Sequence, residues 1–118
     1  MVGNATMRDL FFGLDVGPIG RLPFRSVTET AWRSGEAPTS GVVRLAHELG
    51  ILVHPRARVW GAPLIASHVG ADAAADLLPA GFLDEGGPAA TGAPAMLVDV
   101  GTNTEVVVTD GARVLAAS

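Results

Sequence analysis

Two apolar runs joined by a polar glycine turn, AMLVDVGTNTEVVVTDG from Ala95 to Gly111, constrain this chain more than anything else in it. Apolar residues crowd both runs instead of alternating, so each strand calls for apolar contact on both faces, as a central buried sheet does. A plain hairpin needs only a turn. This one interrupts the apolar pattern with Asp99 and then with Gly101, Thr102, Asn103 and Thr104. Gly101 lets the backbone turn sharply and brings an N–H close to a ligand with no Cβ in the way. Successive N–H groups in such a turn form a donor array that suits anions. The hydroxyls of Thr102 and Thr104 and the Asn103 amide add donors. Asp99, at its strand end, is placed to hold a magnesium ion through water, facing phosphates. Glu105 either polarises a water or points to solvent. The alternative is a polar turn whose aspartate bonds to its own backbone.

A third strand, ARVLAA, follows a two-residue turn at Asp110-Gly111, so the C-terminal third reads as a β-meander. Its doubly apolar sheet needs a layer on each side. Helices upstream serve for one face; little in the chain serves for the other, and such an open face predicts poor solubility or self-association. NATMRDLFFGL predicts a short helix capped by Asn4 or Thr6, with Met7, Leu10, Phe11 and Leu14 on one face. PIGRLPFRSV reads as extended, and Ser34 to Gly41 as an exposed loop. GVVRLAHELGI predicts a helix with Val42, Leu45, Ala46 and Leu49 on one face, closed by Gly50. Residues 57–63 read as a strand ended by Pro63. ASHVGADAAADLLPAGF is the most helical stretch, with Ser67 as candidate cap and Pro79 and Gly81 ending it. LDEGGPAATGAP is a flexible loop.

Composition removes several function classes. The 118 residues suffice for one modest core, and a net charge of −4 with scattered charges leaves no footprint for nucleic acid or an anionic membrane. No apolar run approaches a membrane span, and the N-terminus lacks the marks of a signal peptide. Cysteine is absent, which excludes thiolate chemistry, disulfides and cysteine-bound clusters within these residues and fits the cytoplasm. His47, His54 and His68 have the wrong spacing for a metal site. There is no P-loop and no dinucleotide-binding glycine motif. Ser67 and His68 are neighbours, the wrong relation for a serine–histidine pair.

Strand, Asp-x-Gly-Thr, strand resembles the phosphate hairpins of the actin, sugar-kinase and heat-shock ATPase (ASKHA) superfamily. VGNATM followed by LFFGLDVGPIGRLPF resembles the Gly-Asn-Thr-Thr-Met segment and its continuation in the reductive activators of corrinoid proteins. APLIASHVGADAAADLL and LVDVGTNTEVVV are similar to that family's next segment and its second phosphate hairpin, in the same order. The stretch from Ser26 to Gly41 is the least similar.

The resemblance implies an α/β fold, part of a ribonuclease-H-like ASKHA lobe: a phosphate-hairpin meander with covering helices, incomplete here. It divides the chain into a cleft turn and helix (1–25), a loop-rich insertion (26–56), a strand and cleft helix (57–82) and the phosphate-binding meander (95–118). It implies ATP and magnesium as cofactors, with a [2Fe-2S] cluster only in the full-length protein, and a corrinoid protein as partner. Full-length members couple ATP hydrolysis to uphill electron transfer that returns Co(II) to Co(I), and a homodimer is expected of the full-length form. The chain reads as a fragment: the first phosphate hairpin and the glycine-rich adenosine segments are missing, and alone it is expected to be inactive. Asp99 and Glu105 take the catalytic roles, Asp99 also the magnesium. Gly101, Thr102, Asn103 and Thr104 match the hairpin; Gly3, Asn4 and Thr6 match a turn facing the cleft, or else a helix cap. Gly70 and Asp72 match a helix along the cleft, or else Asp72 is a first-turn carboxylate favoured by the helix dipole. Ala5 stands in place of a threonine, Ser67-His68 in place of Gly-Phe, and Pro79 in place of small helical residues. Two other readings stay open: a non-catalytic lobe that binds a protein partner, and a kinase or dehydratase-type activator of the same superfamily.

Overall fold

The computed structural model describes residues 1–66, 68–101 and 103–118. Backbone contacts divide them into two units, Met1–Ala71 and Asp72–Ser118. Each contributes one small antiparallel sheet to a mixed α/β chain.

The first unit opens with helix α1, Ala5–Phe11. Asn4 caps it with extended backbone, its Oδ1 accepting the Met7 N–H at 2.9 Å. The buried stripe is not the apolar one. Met7 and Leu10 are 59% and 61% exposed, whereas Ala5, Arg8, Asp9 and Phe12, spaced i, i+3, i+4, i+7, are buried. That corrects the expected face, and the reason is a polar network that compensates two buried charges.

The Arg8 guanidinium meets the Asp9 carboxylate at 2.6 Å with both side chains fully enclosed. Its Nη1 donates to the carbonyls of Ser40 (2.9 Å) and Ala62 (3.2 Å), and its Nη2 also to the Thr28 hydroxyl (2.6 Å). Ser26 donates its hydroxyl to the second Asp9 oxygen at 2.6 Å while accepting the Thr28 N–H at 3.2 Å. The same serine is therefore the N-cap of helix α2, Val27–Arg33. Ser40 extends the network, its hydroxyl accepting the Leu64 N–H at 3.0 Å.

Helix α2 lies in the stretch expected to be loop-rich, 26–56, as does strand β1, Val42–Leu45. GVVRLAHELGI is thus a strand followed by a 3-10 turn at Ala46–Leu49, not one helix. β-branched Val42 and Val43 suit a strand, and β1 finds a partner in β2, Arg58–Gly61. PIGRLPFRSV is likewise not simply extended, since Gly17–Gly20 forms a 3-10 turn. Gly61 admits the Phe12 ring against the strand; a Cβ there would sit 2.5 Å from Phe12 Cε2. Ala5, Ile19 and Leu64 form an apolar cluster in this unit with Val16 against them, and Phe12, Val42, Ala46, Ala62 and Val69 are buried as well.

The second unit takes nearly all of helix α3, Ala71–Asp76. The helix stops earlier than the alanine-rich stretch suggested, because Pro79 has no N–H to bond the carbonyl of Ala75. Leu78 and Phe82 continue in turns, with N–H bonds to Ala75 (3.2 Å) and Leu77 (3.0 Å). The expected flexible loop contains one helical turn, α4, Pro88–Thr91. Strands β3 (Ala95–Val100), β4 (Thr104–Thr109) and β5 (Val114–Ala117) then form the anticipated meander in the order β3-β4-β5.

The register sorts this sheet into two faces. Leu97 opposite Val107, Val107 opposite Ala116 and Asp99 opposite Glu105 share one face, which packs with Leu77, Phe82 and Ala89. Met96 opposite Val108, Val98 opposite Val106 and Val108 opposite Leu115 share the other. On that second face Met96, Val98, Val100, Val108 and Leu115 are exposed, Val100 at 77%. One face is covered and the other is open, as the doubly apolar pattern implied.

The β4–β5 connection spans residues 110–113, because Thr109 pairs with Val114; it is longer than the two-residue turn expected. Asp110 explains the length: its Oδ1 accepts the N–H groups of Ala112 and Arg113, each at 2.9 Å. Those two bonds hold its carboxyl below the usual range. Gly111 sits at φ 87° against the Gly92 carbonyl, where a Cβ would collide with backbone.

Candidate functional site

The β3–β4 hairpin places Asp99 and Glu105 directly across from each other on the covered face. They point that way because each is two residues, one strand period, from an inward neighbour, Leu97 and Val107. Helix α3 adds Asp72, in its first turn, and Asp76. Burial raises the Asp76 carboxyl above its ordinary value, and the charge of Asp99, which also hydrogen-bonds to it, raises it further. Glu105 is 5% exposed, and its carboxyl is raised first by burial, then by the charges of Asp72, Asp99 and Asp76. Four carboxylates thus repel one another beside the turn of the hairpin. Such a group favours a bound proton or a cation.

Asp76 was not among the residues picked from the sequence. The signal was present, since it stands four residues after Asp72 and so shares its helix face.

The turn itself is exposed at Gly101, Asn103 and Thr104. Gly101 does not offer its N–H to a ligand, as expected; it donates to the Asn103 carbonyl at 2.9 Å. The donors left at the turn among the described residues include the Asn103 side-chain amide and the Thr104 hydroxyl. Thr102, expected to add a hydroxyl, and Ser67, the expected cap of the helix that follows it, lie outside the described residues.

The remaining candidates do different work. Asn4 is occupied as the α1 cap, Gly3 is half-buried and Thr6 is exposed, all in the first unit. Gly70 is buried just before α3, and Asp72 accepts the N–H of Ala73 at 3.0 Å. His68, in the place of an aromatic, sets its ring 5.5 Å from that of Phe24.

Among the described residues no three His, Asp or Glu side chains converge to hold a metal directly. Magnesium does not require such a cage. It keeps much of its water and takes one or two carboxylates with phosphate oxygens. Asp99, with Asp76 hydrogen-bonded to it, fits that weaker requirement. With no cysteine, the chain has no ligands for an iron–sulfur cluster of the cysteine-bound type.

Among the described residues no helix is long and apolar enough to cross a membrane. No curated protein and no solved structure matched the chain. A family model described as the RACo middle region matches residues 1–85, the larger part of the sequence; the β3–β4 hairpin lies beyond the match. The chain belongs to the RACo family, the reductive activators of corrinoid proteins.

Proposed function

We propose that this chain contributes part of a nucleotide-phosphate grip to an ATP-coupled activator that returns a corrinoid protein from Co(II) to Co(I). Family membership supports the corrinoid role. The observation that carries the nucleotide reading is the Asp99–Glu105 pair at the hairpin turn, facing Asp72 and Asp76. An ASKHA-type lobe, a cytoplasmic setting and a homodimer of the full-length protein belong to the same reading.

Bound MgATP would supply the free energy that an uphill electron transfer requires. The chain's own residues bind and orient. Thr104 and Asn103 donate to phosphate oxygens from the exposed turn. Asp99 holds the hydrated cation through water, with Asp76 beside it. Glu105, its carboxyl raised by burial and then by its neighbours' charges, is the group placed to hold or take a proton at its carboxyl oxygen. Without a cation the four carboxylates repel a polyphosphate, so binding must depend on magnesium.

The test is titration of the 15N-labelled protein with ATP, with and without magnesium. Shifts at residues 101–105 that need magnesium and weaken about tenfold or more in Asp99→Asn support the proposal. Shifts elsewhere only, or none, sink the nucleotide reading. The open apolar face of the sheet favours a second reading, a non-catalytic lobe that engages a protein partner. That reading gains if no nucleotide binds.

A further inference from the structure

Apart from the hairpin, the first unit carries a cleft of about 490 Å³ lined by Asp15, Gly17, Pro18, Arg21, Leu22, Pro23, Arg25 and Thr30. A volume of this size suits a small molecule. Pro18, Leu22 and Pro23 give it an apolar wall, and Arg21 and Arg25 give it two guanidinium groups.

Neither arginine is committed elsewhere. Among the described residues the Arg21 side chain has no hydrogen bond or ion pair. Arg25 reaches the buried Glu29 only at 3.9 Å, while Arg33 holds the same carboxylate oxygen at 2.8 Å. Glu29 therefore keeps a close cationic partner when Arg25 turns to a ligand. Asp15 opposes the two cations, but its Oδ1 is tied to the Gly17 N–H at 2.8 Å. Two positive groups and one negative group leave the cleft basic in a chain whose net charge is −4.

We infer that this cleft binds a small anion carried on an apolar body, such as an organic phosphate, with Arg21 and Arg25 gripping the anionic group. An arginine fork matches phosphate geometry with two parallel donors, and the apolar wall accepts the rest of the molecule. The inference is independent of the hairpin, which lies in the other unit.

Phenyl phosphate is the probe, titrated into the 15N-labelled full chain with phenol and inorganic phosphate as comparators. Saturable shifts confined to residues 15–30 are expected, strongest for phenyl phosphate. Arg21→Gln, at an exposed side chain with nothing to lose in the fold, should weaken binding roughly tenfold, the worth of one charge-assisted contact. Asp15→Asn, which keeps the acceptor for Gly17, should tighten it. Equal affinity in Arg21→Gln, or equal binding of phenol, overturns the inference. So does an absence of saturation, or shifts at residues 101–105 alone.

Discussion

In Met1–Ala71 the large side chains most completely enclosed are Arg8, Asp9, Ser26 and Glu29; in Asp72–Ser118 the corresponding residue is Val107. The first unit adds to its buried apolar residues a network of directional bonds that joins residues up to 54 positions apart. The second packs Leu77, Phe82 and Val107 together and has no comparable buried ion pair among the described residues. Its buried charges are the reverse of those in the first unit. Arg8 meets an opposite charge, whereas Glu105 and Asp76 meet like charges. A matched pair holds its unit together. A mismatched cluster makes its unit less stable while its carboxyls are charged. Strain of that kind marks functional sites more often than structural ones.

Truncating a charge should therefore hurt the first unit as much as truncating a ring hurts the second. Arg8→Ala strands Asp9 in the interior and should destabilise the first unit by about 3–5 kcal/mol. Chemical denaturation with amide exchange resolved by residue checks it. A loss below about 1 kcal/mol would show water reaching Asp9, and would break the contrast.

Phe82→Ala empties part of the second core and should cost about 3 kcal/mol, read from amide exchange in β4. Ser26→Ala removes both the α2 cap and a bond to Asp9, so about 1–2 kcal/mol is expected in the first unit. Ser26→Asp, which keeps the cap but sets a carboxylate against Asp9, should be worse. Were it better, capping alone would explain the serine.

The smallest effect concerns pH. Asp76 and Glu105 have carboxyls raised in the folded state, so that state binds protons more tightly than the unfolded chain. Stability of the second unit then falls as pH rises from the ordinary carboxylate range through the raised values. Acidification from neutral pH into that window should stabilise it, and Asp76→Asn should flatten the profile. A second unit that weakens steadily on such acidification would mean that these carboxyls gain nothing from protonation.

Much of the second unit was legible in the sequence. Apolar runs on either side of Gly101, and again around Asp110-Gly111, admit little besides a meander, and the open face followed from the lack of residues to cover it. Asp99 and Glu105 could be singled out because each is a charged residue beside an apolar run, but that they face each other came only from the register. Asp76 was not singled out, since its role depends on α3 lying over the sheet. In the first unit the local signals misled. Met7, Leu10 and Phe11 form a regular apolar stripe, yet the stripe of Ala5, Arg8, Asp9 and Phe12 is the buried one.

The sequence by itself determined the cap at Asn4 and the meander of β3, β4 and β5, though not the length of every turn. These depend on backbone chemistry and apolar patterning within a few residues. Only the tertiary structure decided that Arg8 and Asp9 lie inside, that Ser26 serves two masters, and that four carboxylates share one face. A buried charge is stable only where distant donors and acceptors converge on it, and convergence is a property of the folded chain.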